Sequence, residues 1–136
     1  MVLTGGSLVF TKEPLSKVFV KRGSDLYLKW KYYDETKPTE LSFISWEVFV
    51  PGVSWKKMIE ENHDGKLIIH SELPAMYSRR VEKTNQATLV IKNVTFEDFS
   101  EYRCILNPFQ GTVTESAVNV IVTGMLFILI MKRIDT

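Results

Sequence analysis

Residues 87–104, ATLVIKNVTFEDFSEYRC, constrain what this chain can fold into more than any other stretch. Leu89 and Ile91 alternate as the inward residues of a half-buried strand do, and Val94 follows where the chain bends out of it. Asp98 stands four residues before Tyr102, and Tyr102 two before Cys104. That spacing puts Tyr102 and Cys104 on the inward face of the next strand, with Asp98 at the turn between the two. A strand, a turn and a second strand with an inward Tyr-x-Cys describe one corner of an all-β domain.

The rest of the chain reads as more strands of the same kind. Residues 7–10 and 17–20 form a first strand split around Glu13-Pro14, as an edge strand tolerates proline. After Gly23, Leu26, Leu28 and Trp30 alternate with Tyr27, Lys29 and Lys31. Residues 34–40 are a polar loop, and residues 41–50 a strand ended by Pro51-Gly52. In that strand Ile44, Trp46 and Val48 share one face, while Phe43, Ser45, Glu47 and Phe49 share the other. Residues 54–59 and 66–70 fit two short strands about the turn Asn62-His63-Asp64-Gly65. Residues 78–83 and 112–122 complete the set, the last with Val118, Val120 and Val122 on one face.

The pattern L-x-I-x-x-V-x-x-x-D-x-x-x-Y-x-C resembles the E–F corner of an immunoglobulin domain, including its tyrosine corner. The resemblance covers residues 7–122 and implies an immunoglobulin-like β-sandwich. The two short strands 54–59 and 66–70 correspond to C′ and C″, which favours the variable type. Trp46 falls where the family has its strand C tryptophan. The resemblance further implies that an arginine opening strand D, Arg80 or its neighbour Arg79, pairs with Asp98. There are two departures: Trp30 stands where the family has its first cysteine, and Ser100 where the turn has glycine. Trp30, Trp46, Leu89, Ile91, Tyr102 and Cys104 are the expected core.

Cys104 is the only cysteine, so no bridge forms within the chain. Losing a native disulfide typically costs about 2–5 kcal/mol. Burying an indole of about 200 Å² contributes up to about 5 kcal/mol at 25 cal/mol/Å², before its ordering entropy. A sandwich pinned by Trp30 and Trp46, with Cys104 a buried and inert thiol, is therefore physically reasonable. His63 and His70 are isolated, and no nucleophile–base arrangement or zinc spacing accompanies them. An enzyme, a cofactor and a metal are not expected. A net charge of +1 gives no electrostatic reason to expect a nucleic-acid partner.

The functional expectation rests on the resemblance, since a fold does not fix a function. In variable-type domains the C–C′–F–G face pairs with other domains, homophilically or heterophilically. Phe43, Phe49, Trp55, Arg103, Ile105 and Phe109 are the candidate interface there, a composition that matches interface cores. This implies an adhesion or receptor-type domain at the cell surface or outside the cell. The alternative is a structural immunoglobulin-like module in a reducing compartment. Asn93-Val94-Thr95 is an N-glycosylation sequon at an exposed bend and favours export. No secretory leader is legible in residues 1–10, which favours the alternative unless the sequence is a mature form or fragment. Residues 123–136 form an apolar tail ending in basic residues, with Lys132 and Arg133 placed as in a stop-transfer segment. The apolar run from 118 to 131 would reach about 21 Å as a helix, short of a hydrocarbon core of about 30 Å. The tail is thus either a truncated membrane anchor or a non-spanning apolar end.

Overall fold

The computed structural model describes residues 8–34 and 41–124, and within them the alternating patterns become two packed sheets. The first sheet is built on β3 (Leu26–Asp34) and β8 (Ala87–Ile91), which run antiparallel with Leu28 opposite Leu89 and Trp30 opposite Ala87. β1 (Leu8–Lys12) lies outside β3, and β7 (Val81–Thr84) outside β8. The second sheet runs β2 (Lys17–Lys21), β10 (Thr114–Thr123), β9 (Ser100–Pro108), β4 (Leu41–Val50), β5 (Ser54–Asn62) and β6 (Leu67–Ile69). Every pairing is antiparallel except β2 with β10. The split first strand thus serves both sheets. Glu13 and Pro14 lie where the chain crosses between them, and a proline there forfeits no ladder hydrogen bond.

Inward side chains of both sheets meet in one core. Trp30, Trp46, Leu28, Leu89, Ile91, Tyr102 and Cys104 are all fully buried. Trp30 fills the centre and does more than occupy volume. Its indole Nε1 donates to Ser116 Oγ at 2.9 Å, on the opposite sheet and beside Cys104 in the ladder. An inter-sheet hydrogen bond therefore sits where the family's pattern would have an inter-sheet bridge. Burial pushes the Cys104 thiol well above its ordinary range, which makes it a poor nucleophile. Among the described residues, the Trp46 indole nitrogen and the Ser45 hydroxyl are buried with no hydrogen-bond partner. Such groups cost about 1–3 kcal/mol each, so packing around them must more than offset that.

Three local differences from the sequence pattern have physical causes. The strand expected at 78–83 begins only at Val81, because Arg79 adopts φ 64° and turns the chain first. A β-bulge at Met58 lets Trp46 face Ile59 while Glu47 faces Lys57. Met58 and Ile59 are consequently both buried, and the strand continues to Asn62 rather than ending at 59. The last strand starts at Thr114 rather than 112, after Gly111 at φ 105°. The expected loop 34–40, apart from Asp34 itself at the end of β3, lies outside the described residues, as does the tail beyond Gly124. Among the described residues no helix is long and apolar enough to cross a membrane.

The corner formed by residues 87–104 is held by convergent hydrogen bonds. Tyr102 Oη donates to the Asp98 carbonyl at 2.7 Å, which commits its proton. The Tyr77 hydroxyl, 2.7 Å away, therefore donates to Tyr102. Asp98 caps the 3-10 turn Phe96–Asp98, its carboxylate accepting from the Thr95 N–H at 2.8 Å. Arg80, not Arg79, pairs with the Asp98 carboxylate through both terminal nitrogens. It also donates to the carbonyls of Met76, Lys92 and Asn93.

The tyrosine pair carries a pH dependence. Burial pushes Tyr77 up to about 12 and pushes Tyr102 higher still. In the unfolded chain both titrate near 10, so the unfolded state loses protons first as the pH rises past that point. Their contribution is complete below about pH 10 and is lost between there and the folded values. Tyr77 alone accounts for about 2 kcal/mol of that loss by pH 12. Urea midpoints between pH 9 and 12 should fall steeply, and less steeply in Tyr77→Phe. Flat midpoints across that range would contradict the buried pair.

Candidate recognition face

The outward side of the six-stranded sheet brings several of the candidate residues together through strand register. Glu47 on β4 lies directly opposite Arg103 on β9, and opposite Lys57 on β5. Phe49 on β4 lies opposite Trp55 on β5. Arg103 donates through Nε (2.9 Å) and Nη2 (2.6 Å) to Glu47 Oε1, while Nη1 lies 3.5 Å from Glu115 on β10. The same guanidinium lies 4.1 Å from the centre of the Trp55 ring. Phe49 meets Trp55 edge to face, with centroids 5.5 Å apart. Arg103 is thus fixed on four sides by two carboxylates, an indole and the sheet below. Cation–π contact of this kind contributes about 0.5–2 kcal/mol, and Glu47, only 7% exposed, is held in low dielectric.

Beside this group lies an open depression of about 440 Å³, lined by Glu47, Ser54, Trp55, Lys57, His70, Glu72 and Arg103. Two cations, two carboxylates and a histidine surround one indole face. That arrangement suits a partner side chain with polar and apolar parts. Among the described residues no group of three His, Cys, Asp or Glu side chains is placed to hold a metal ion.

The other candidates stand differently. Phe43 is half-buried beneath Lys57, whose ammonium lies 4.9 Å from the ring centre and 3.3 Å from Glu60. Phe109 is exposed at the far end of the sheet and meets His63 edge to face at 5.1 Å. Ile105 needs correction as an interface residue. It points outward but is only 8% exposed, between Ser45 and Glu115 on the neighbouring strands, and so supports the platform without presenting a surface. Glu47, Glu115 and Lys57 escaped the sequence reading. Alternation placed Glu47 on this face, but its partner lies 56 residues away. Asn93 is exposed, at φ 51°, and its backbone N–H donates to the Asp25 carboxylate.

The strand orders β1-β3-β8-β7 and β2-β10-β9-β4-β5-β6 decide the architecture. They are the A-B-E-D and A′-G-F-C-C′-C″ sheets of one known sandwich. The fold is that of an immunoglobulin variable-type domain. No family model matches the chain, and no curated protein matches it in sequence. Solved structures do resemble this variable-type domain. Murine CRIg superposes with a TM-score of 0.68 at 17% identity, covering 87% of this chain and 99% of that one. A marsupial T cell receptor gives 0.62 at 13% identity, over 86% of this chain. The domain spans only about half of that receptor chain, 52% of its length. In family terms β4, β5, β9 and β10 are C, C′, F and G, and Trp30 occupies the first cysteine's place on strand B.

Proposed function

We propose that this domain recognises another protein, itself immunoglobulin-like, through its C–C′–F–G face, at the cell surface or outside the cell. The observation that carries this reading is the Arg103–Trp55–Glu47 group. Tryptophan and arginine dominate binding hot spots, and here both are held before any partner arrives. A partner docking on them orders few side chains, which lowers the entropic cost of association. Phe49 extends the apolar part of the surface, and Phe43 and Phe109 lie towards its far end. The sequon at the exposed Asn93 supports an exported, glycosylated domain, and the apolar sequence of residues 123–136 makes a membrane tether part of the reading.

A second reading has its own observation. The Trp30–Ser116 bond joins the sheets while Cys104 stays a free thiol, as suits a structural module in a reducing compartment. One preparation separates the two. The protein is made through a secretory host with a leader added, then passed over an immobilised panel of immunoglobulin-like ectodomains that includes itself. Export predicts a glycosidase-sensitive mass shift that Asn93→Gln abolishes. Recognition predicts at least one binder, weakened about 30-fold or more by Trp55→Ala and unchanged by Tyr27→Ala on the opposite sheet. No shift together with no binder would discard the first reading in favour of the second.

A further inference from the structure

The end of the six-stranded sheet furthest from Phe109 carries exposed aromatic surface outside the Arg103–Trp55–Glu47 group. Phe19 on β2 is 65% exposed and lies beside Ile121 on β10 in the parallel ladder. Ser100 opens β9 opposite Val120, and Phe99, the residue before it, has extended backbone at φ −64° and ψ 101°. Phe99 is 55% exposed. Tyr102 and Cys104 point inward, which leaves Phe99, Glu101 and Arg103 in the outward phase. Phe19 and Ile121 are thus neighbours on β2 and β10, with Phe99 at the entry to β9 in the same outward phase. Two half-bare phenyl rings so placed are unusual on a monomer and mark a contact surface.

The next outward row shows what fits there. Lys17, Asn119 and Glu101 are successive neighbours across the same three strands. Lys17 and Glu101 each lack an ion-pair partner among the described residues. Both rows are thus symmetrical in kind about β10 and opposite in charge at their ends: phenyl–aliphatic–phenyl above, cation–amide–anion beside it.

We propose that a second copy of this chain packs face to face on this end of the sheet, about a two-fold axis running along β10. Such an axis exchanges β2 with β9. It lays Phe19 of one copy on Phe99 of the other, Ile121 on Ile121, and Lys17 on Glu101 twice. Aligned sheets pack about 10 Å apart, close enough for the phenyl rings to interdigitate. A two-fold interface must be self-complementary, and this row is. A bilayer fits less well, since it would strip water from Glu101 and return no cation. Edge-to-edge pairing along β2 is disfavoured by Lys17 and Lys21 at its two ends. The pairing lies on the β2–β10–β9 end of the same outward face, and its residues are distinct from the Arg103–Trp55–Glu47 group.

Sedimentation velocity of the intact chain from about 1 µM to about 1 mM tests it, a range that captures micromolar association. The wild type should show a reversible monomer–dimer equilibrium, and Phe19→Asp a monomer throughout. Lys17→Glu and Glu101→Lys should each raise the dimer dissociation constant about tenfold or more, because like charges then meet. The two reversals combined should return it to within about threefold of wild type, as opposite charges face each other again. A wild type monomeric at the highest concentration overturns the proposal, as does a dimer that survives Phe19→Asp or a double reversal as weak as the singles. A dimer lost in Trp55→Ala but not in Phe19→Asp belongs to the recognition face and overturns it too. Monomeric protein that binds phosphatidylserine vesicles through Phe19 would assign the row to a membrane instead.

Discussion

Trp30→Ala should destabilise the domain by about 3–5 kcal/mol, the range for deleting a large aromatic from a packed core. For a chain of this size that lowers the melting temperature by roughly 10–20 °C. Two losses combine. The cavity would open at the centre of the core, among side chains that are themselves fully buried, where the backbone cannot collapse to fill it. The Ser116 hydroxyl, 7% exposed, would also lose the indole N–H that it accepts. Trp30→Phe reduces the first loss, since a phenyl ring keeps part of the apolar volume, and removes the donor completely. It should cost about 1–2 kcal/mol, and Ser116→Ala, which strands the indole N–H, a similar amount. Chemical denaturation of the three variants under reducing conditions makes the comparison. A Trp30→Ala variant within 1 kcal/mol of wild type would mean the indole does not replace the missing bridge.

Arg80→Met should be nearly as damaging, about 3–5 kcal/mol, because it leaves the Asp98 carboxylate buried without its cation. Asp98→Asn keeps the shape and the Thr95 contact, and the arginine it abandons is partly solvated, so its cost should be smaller. The double variant should be less destabilised than the sum of the two, with a coupling of at least about 1.5 kcal/mol. A double-mutant cycle in urea gives that number directly. Additive losses would reduce Arg80 to a donor for the carbonyls of Met76, Lys92 and Asn93.

Where local chemistry alone decides structure, the residues were readable in advance. Residues 41–50 form β4 over that same span because alternating side chains end at a Pro-Gly turn. Residues 87–91 form β8 for the same kind of reason, and the Tyr102–Asp98 bond follows from a four-residue spacing. What could not be read depends on partners far along the chain. Nothing near Trp30 announces that Ser116, 86 residues on, accepts its N–H. The Met58 bulge appears as one apolar letter too many, and the choice of Arg80 over Arg79 rests on the left-handed turn at Arg79. In the recognition group, Trp55 and Arg103 were visible by type. Glu47, which fixes Arg103, was visible only as a charge on the right face.

The parallel pairing of β2 with β10 also has a mechanical side. The first strand of the second sheet and the last run in the same direction, with Lys17–Lys21 alongside Asn119–Thr123. Tension applied between the two ends of the domain pulls these strands past each other lengthwise. Their hydrogen bonds are then loaded together in shear, where a hairpin pulled from its open end would break one bond at a time. A force that enters through both ends of the domain therefore meets collective resistance in this short ladder.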